Sequence, residues 1–269
     1  MRFYASAPHE GTNKVLYIDT HAHLGPWHEE IWTFTPEQFV ALQQRAGIST
    51  TVVTSAAALA GELVYGNEWT FQQAERLDHL LVWLVLDPLR EKDSFDLLER
   101  YKNHPKMVGV KIHPVMHRYP ADIKATYRLF ERVAPLNFPV LSHGENESYA
   151  SPARMRRLAE AFPSLTLITA HFGAGAPGQT HEAIDAIQDC KTGNLYTDMG
   201  TGRAVRTGII AQMVRAIGAD RILFGTDSPL YEPMAFPTLL RAADISEAER
   251  ALIAHQNAER LILSPRGLG

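Results

Sequence analysis

The chain has 269 residues, and 45% hydrophobic against 21% charged residues is the balance of a soluble globular protein. A net charge of −4 argues against a nucleic-acid binder, and no stretch approaches the ~18 uninterrupted apolar residues of a membrane span. One cysteine, Cys190, excludes an intrachain disulfide and any all-cysteine metal site, so a metal here must be held by the imidazoles of the 12 histidines and by carboxylates.

In chain order, apolar runs predict strands over 15–19, 50–54, 80–86, 107–112, 139–142, 165–169, 195–198 and 221–224. They are rich in Val, Ile and Leu and mostly continuous, as strands buried on both faces should be. Helical patterns fill the gaps over 36–46, 67–77, 94–103, 121–136, 152–162, 182–190, 208–218 and 247–263. Thr35 and Ser151 supply caps, and Pro36 and Pro152 take the favoured first-turn position. Such strict alternation with short connections predicts an α/β fold, a (β/α)8 TIM barrel. A doubly wound open sheet would need a Gly-rich turn after the first strand, where the chain reads THAHLGP. With no linker or repeat, residues 1–269 read as one domain, residues 1–14 being expected to be flexible. The N-terminus lacks an apolar signal-peptide core, which points to the cytoplasm.

In such barrels the chemistry sits at the C-terminal strand ends. Five histidines fall there: His21 and His23 after strand one, His113 after strand four, His143 after strand five and His171 after strand six. Asp227 follows strand eight. His21 and His23 lie two apart on an extended segment, so both rings leave one face. Alone, the pair could be two histidines of a polar loop. Together with His143, His171 and Asp227 it predicts a divalent-metal site, zinc first and manganese as the alternative, with one or two ions left open.

The pieces IDTHAHLG at 18–25, VGVKIHP at 108–114, PVLSHGE at 139–145, LITAHFG at 167–173, ILFGTDSP at 222–229 and HQNAERLI at 255–262 make the chain resemble the amidohydrolase superfamily of metal-dependent barrels. The likeness is to the branch that includes small hydrolases and aminocarboxymuconate-semialdehyde-type decarboxylases. That resemblance implies metal ligation by His21, His23, His143 and Asp227, with Asp227 also shuttling a proton. It implies an acid/base or electrostatic role for His171, or ligation in two-metal members. Lys111 sits where two-metal relatives carry a carboxylated bridging lysine; substrate contact and a structural ion pair are its other readings. The function implied is hydrolysis of a small amide, lactam, ester or lactone by metal-activated water. The alternative is non-oxidative decarboxylation of an aromatic or unsaturated acid on the same site. The compact chain favours hydrolysis, because decarboxylases of the branch tend to be longer. A catalytically dead binding barrel would not keep every ligand position.

Further candidates line the expected mouth. His113, Arg203 and Trp27 are candidate substrate contacts alongside Lys111, Arg203 as a bidentate carboxylate partner. His28 joins Trp27, and Glu145 could orient a ligand. The connection over 55–67, with Tyr65 and Trp69 in or near it, is long enough to be a lid or an interface arm. Cys190 reads as buried filler, and His9, His79, His104, His117, His181 and His255 as ordinary surface or helix residues. The partner expected is a small-molecule substrate, with neither nucleic acid nor membrane, and a homodimer would fit.

Overall fold

Eight parallel strands pair in chain order: β1 (Tyr17–Leu24), β2 (Ile48–Ser55), β3 (Leu80–Val85), β4 (Met107–Ile112), β5 (Val140–Ser142), β6 (Leu167–Thr169), β7 (Leu195–Asp198) and β8 (Ile222–Leu223). This computed structural model describes residues 16–27, 34–144, 149–173 and 180–268. The ring closes between β8 and β1, where Thr20 N–H donates to Phe224 O at 2.9 Å and His23 N–H to Ser228 O at 2.7 Å. The result is the expected (β/α)8 barrel.

Helices α1 (Pro36–Arg45), α2 (Ala56–Leu59), α3 (Leu63–Arg76), α4 (Glu91–Tyr101), α5 (Lys124–Val133), α6 (Pro152–Ala161), α7 (Thr180–Gln188), α8 (Ile209–Ile217), α9 (Ala235–Ala242) and α10 (Glu247–Ala251) wrap the barrel. Thr35 and Gln38 form a reciprocal capping box at the start of α1. The predicted strands over 107–112 and 195–198 coincide with β4 and β7. The predicted helix over 247–263 is helical throughout, but widens into π-type turns over Leu252–Gln256 and Glu259–Leu263.

Two stretches hold helices that the sequence patterns do not predict. In the connection over 55–67 these are α2 and the first turns of α3. The fully buried Asn67 pins it, donating to Leu63 O and Val85 O and accepting from Val85 N–H. Trp69 thereby packs beside Gly25, while Tyr65 faces solvent. Helix α9 was also unforeseen, because Pro233 and Pro237 mask a short apolar pattern; Pro237 sits in the first turn, where no amide is needed.

Inside the barrel Ile18, Val52, Leu81, Trp83, Val108, Leu141, Ile168 and Leu223 form one apolar cluster. Trp83 fills its middle and donates Nε1–H to Thr20 O at 2.8 Å, which satisfies its polar atom. A Cβ at Gly109 would lie 2.2 Å from the Trp83 ring, so this position requires glycine. At the opposite end from the mouth, Asn257 donates to Ala219 O and Ile222 O, tying the last helix to β8. Among the described residues no helix is long and apolar enough to cross a membrane.

Candidate active site

The site begins with an irregularity in β1. Asp19 pairs with Thr51 of β2, but Ala22 pairs with Val53, so β1 bulges at Thr20 and His21. A bulge re-aims side chains, and here it turns both His21 and His23 inward. The buried Asp19 carboxylate holds the bulge, accepting from His21 N–H at 3.0 Å, Thr226 N–H at 3.0 Å and the Thr226 hydroxyl at 2.6 Å. A Cβ at Gly225 would lie 3.0 Å from His21 Cβ, so β8 reaches β1 only with glycine there.

The ring nitrogens are assigned by their partners. His21 Nδ1 lies 2.9 Å from Asp198 Oδ2, a carboxylate that can only accept, so His21 carries its proton on Nδ1. His23 Nδ1 lies 2.6 Å from Thr54 Oγ1, whose own proton goes to Ala22 O at 3.1 Å, so His23 also carries its proton on Nδ1. Both Nε2 lone pairs then face Asp227 Oδ1, at 3.5 Å from His21 and 2.8 Å from His23. Three acceptors converging on one point, the two rings oriented from behind, call for a cation between them. Three buried carboxylates, Asp19, Asp198 and Asp227, share this interior with the ammonium of Lys111, and a divalent ion would offset the excess negative charge. His21, His23 and Asp227 therefore fit a metal. A second close cluster joins His21, His171 and Asp198.

The β6 and β8 ends are held in unusual backbone. His171, Phe172 and Asp227 adopt left-handed φ of 66°, 57° and 57°, a conformation that costs energy outside glycine and gathers at functional sites. His171 N–H donates to Asp198 Oδ1 at 3.0 Å, and its Nδ1–H donates to Gly200 O. Its Nε2 therefore accepts, facing His143 Nδ1 at 3.1 Å. His171 Nδ1 is 4.0 Å from Asp227 Oδ2. His143 thus stands beside His171, outside the tight His21–His23–Asp227 group.

The remaining candidates spread around this centre. Lys111 is fully buried, with Nζ 3.2 Å from His21 Nε2, so it lies among the histidines and not at an open mouth. His113 stacks on His143, centroids 4.1 Å apart and planes 14° apart. Trp27 packs against His23 at 4.7 Å. Arg203 is half-buried and donates to His171 O at 2.7 Å, which engages its guanidinium with the backbone of the site. Glu145, His28 and His9 lie outside the described residues. His117 is not a surface residue: its side chain is 5% exposed, wedged between Ala58 O and Asp87. The sequence reading missed Asp198, Asp19 and Thr54. Asp198 had the same signal as the others, a polar residue closing an apolar strand in LYTDMG.

Burial dominates the electrostatics. It pushes Asp227 and Asp19 up to about 7, against the pull of His171 and Lys111 on Asp227 and of hydrogen bonds on Asp19. It pushes His143 down to about 3, His171 to about 4 and Lys111 to about 8. His21 and His23 fall well below the usual imidazole range for the same reason, so their lone pairs stay available.

Known proteins share this frame. A γ-resorcylate decarboxylase of Polaromonas sp. is 29% identical over 172 residues, which cover 56% of this chain and 49% of that protein. The chain thus spans about half the length of the curated relative it matches. A dihydroxybenzoic acid decarboxylase of Polaromonas sp., solved with manganese and the inhibitor 2-nitroresorcinol, superposes with a TM-score of 0.72 at 18% identity, over 91% of this chain and 96% of that one. A 5-carboxyvanillate decarboxylase of Sphingomonas paucimobilis gives 0.72 at 13%, over 92% and 98%. The amidohydrolase family model matches residues 18–262, a span that runs from the β1 bulge to the last helix, and the chain belongs to that family.

Proposed function

We propose that this chain is a metal-dependent decarboxylase of a small aromatic or unsaturated carboxylic acid, working without an oxidant. The observation that supports it most is the pairing of Asp227 with His171, 4.0 Å apart beside the His21–His23 group, in a chain that has several relatives named as decarboxylases beside one named as a hydrolase. His21 Nε2, His23 Nε2 and Asp227 Oδ1 would hold a divalent ion, zinc or manganese. When bound, that ion supplies the positive charge that draws in and orients a carboxylate.

The protein's own task is then to move one proton. The bond from the substrate carbon to its carboxylate breaks, its electron pair stays on that carbon, and neutral CO2 leaves. A proton from Asp227 forms the new C–H bond, and solvent replaces it. Asp227 Oδ1 would face the ion, so the proton would pass through Oδ2, the oxygen that faces His171. His171, fixed by Gly200 O and Asp198, stands 4.0 Å from that carboxyl group. A buried site also favours replacing a charged carboxylate by neutral CO2.

Hydrolysis, the first expectation from sequence, ranks second. Its support was chain length, yet the fold spans 96% of a decarboxylase chain, so length does not separate the two. The test is a product screen of metal-loaded protein with dihydroxybenzoates and 5-carboxyvanillate, beside a panel of esters, lactones and amides. CO2 with the decarboxylated arene is expected. Release of acid, alcohol or amine without CO2 would overturn the reading.

A further inference from the structure

The exposed apolar side chains of this protein are not scattered. Among the described residues seven large ones stand in solvent. Three of these, Val205 (66% exposed), Met234 (50%) and Tyr231 (39%), come from the connections after β7 and β8. The Tyr231 ring packs on Gly202, where a Cβ would lie 2.9 Å from it, so the two connections touch. Beside them a groove of about 330 Å3 runs between the start of α8 and the end of α9, with Val205, Ile210, Leu239 and Ala243 in its lining. Single exposed hydrophobics need no explanation, but a contiguous apolar face with a polar rim marks a contact surface.

The rim tells what docks there. Arg206 and Asp244 stand on the same groove, and both are exposed. Burial, with the like charge of Arg206 behind it, pushes the Arg203 guanidinium below its usual value, so a carboxylate brought beside Arg206 would be favourable. Asp244 accepts from Arg215 at 2.5 Å through one oxygen, and its exposed carboxylate can take a second donor. One surface thus holds an apolar patch, an apolar groove, a cation and an anion. That set complements itself under a two-fold axis, which brings Arg206 to Asp244 of the partner subunit and Asp244 to Arg206 of the partner subunit. We propose that this face is the interface of a homodimer, closed by two symmetric Arg206–Asp244 pairs around the Val205, Tyr231 and Met234 patch. Nothing in this pairing depends on the reaction the site performs. It reaches the site all the same, because Val205 and Arg203 share the short turn Gly202–Val205, and Arg203 donates to His171 O.

Sedimentation velocity with light scattering, on the full zinc-loaded chain over a dilution series, reads the outcome. The wild type should run at twice the chain mass at micromolar concentration. Val205→Glu with Met234→Glu sets charges into the apolar patch and should raise the dimer Kd at least about 100-fold. Arg206→Glu puts like charges together at both symmetric contacts and should raise it about tenfold. Asp244→Arg added to Arg206→Glu restores opposite charges and should return the Kd to near wild type. All four positions are exposed, so zinc content and circular dichroism should match wild type in every variant. A wild type that stays monomeric across the series overturns the proposal, and so does a dimer that survives both glutamates in the patch. An Arg206→Glu dimer as tight as wild type, or a charge exchange that fails to restore what Arg206→Glu removes, refutes the two-fold pairing and the interface with it.

Discussion

The two ends of the barrel bury polar side chains in opposite ways. At the floor, Asn194 donates to Ala159 O, Phe162 O and Leu165 O, and Asn257 to Ala219 O and Ile222 O. These are neutral amides that satisfy backbone carbonyls. At the mouth the buried groups are titratable: Asp19, Asp198, Asp227, Lys111 and the histidines. Their hydrogen bonds leave lone pairs over, and the backbone beneath His171 and Asp227 is left-handed. The floor is built for stability and the mouth for reactivity, the usual division in this architecture.

The comparison breaks most visibly if mutations at the two ends have exchanged effects. His21→Ala should empty the metal site, and Asp227→Asn should lower turnover by about 100- to 10,000-fold while the protein stays folded. Metal analysis by mass spectrometry, with circular dichroism as the fold control, reads both. A His21→Ala protein that keeps a full complement of metal refutes the assignment. At the floor, Asn257→Ala leaves two buried carbonyls without their donor, so a loss of about 2–4 kcal/mol is expected. Chemical denaturation measures it, and kcat should hold. A turnover defect in Asn257→Ala larger than its stability defect would mean that the two ends are not separable.

Legibility followed the same divide. The histidines at the mouth could be read because each stands where an apolar run stops, and a strand end in a barrel has one destination. Asp19 was visible inside IDTHAH, but its work is done on the amides of His21 and Thr226, the latter 207 positions away, and no local pattern encodes that. Thr54 and Asp198 act the same way, through ring nitrogens on another strand. The helical structure over 55–67 was not foreseen because α2 is four residues long, too short for a periodicity to show. His117 was misread because its burial comes from Ala58 and Asp87, on two other βα connections.

Asp198→Asn sharpens the claim that the mouth is tuned from behind. The amide that replaces the carboxylate must turn its NH2 either toward His21 Nδ1–H or toward the amides of His171 and Gly200, all of which donate. One of these contacts is lost. Metal affinity should fall by about 10- to 100-fold, the usual consequence of losing an outer partner of a ligating histidine. Competition with a chromogenic chelator measures it, and unchanged affinity would remove Asp198 from the site.

Acid should also act chiefly on the mouth, since among the described residues the floor has one depressed histidine, His79, against five at the mouth. In metal-free protein, folding lowers His171 from 6.5 to about 4 and His143 to about 3, and burial pushes His21, His23 and His113 down as well. The unfolded chain binds protons below 6.5 that the fold refuses, so these groups withdraw stability as pH falls from 6.5 toward 4. Asp19 and Asp227, raised from 3.8 to about 7, work the other way, since the fold binds protons that the unfolded chain releases. The imidazoles outnumber these carboxylates. The denaturation midpoint of metal-free protein should therefore drop between pH 6.5 and 5, and Asp227→Asn should steepen the drop. A midpoint that holds or rises over that range contradicts this balance.

The smallest effect tests whether a hydroxyl alone sets a tautomer. Thr54→Val keeps the volume and the β-branch but removes the acceptor of His23 Nδ1–H. The ring can then move its proton to Nε2 and donate to Asp227 Oδ1, 2.8 Å away, which occupies the lone pair a metal needs. Moving that proton back costs far less than losing a ligand, so metal affinity should fall about tenfold, the low end for an outer partner. Thr54→Ser restores the hydroxyl and should return affinity to near wild type. If valine and serine bind metal equally well, the tautomer of His23 is set by the ligand cluster itself, and the mouth depends less on its supporting shell than Asp198 implies.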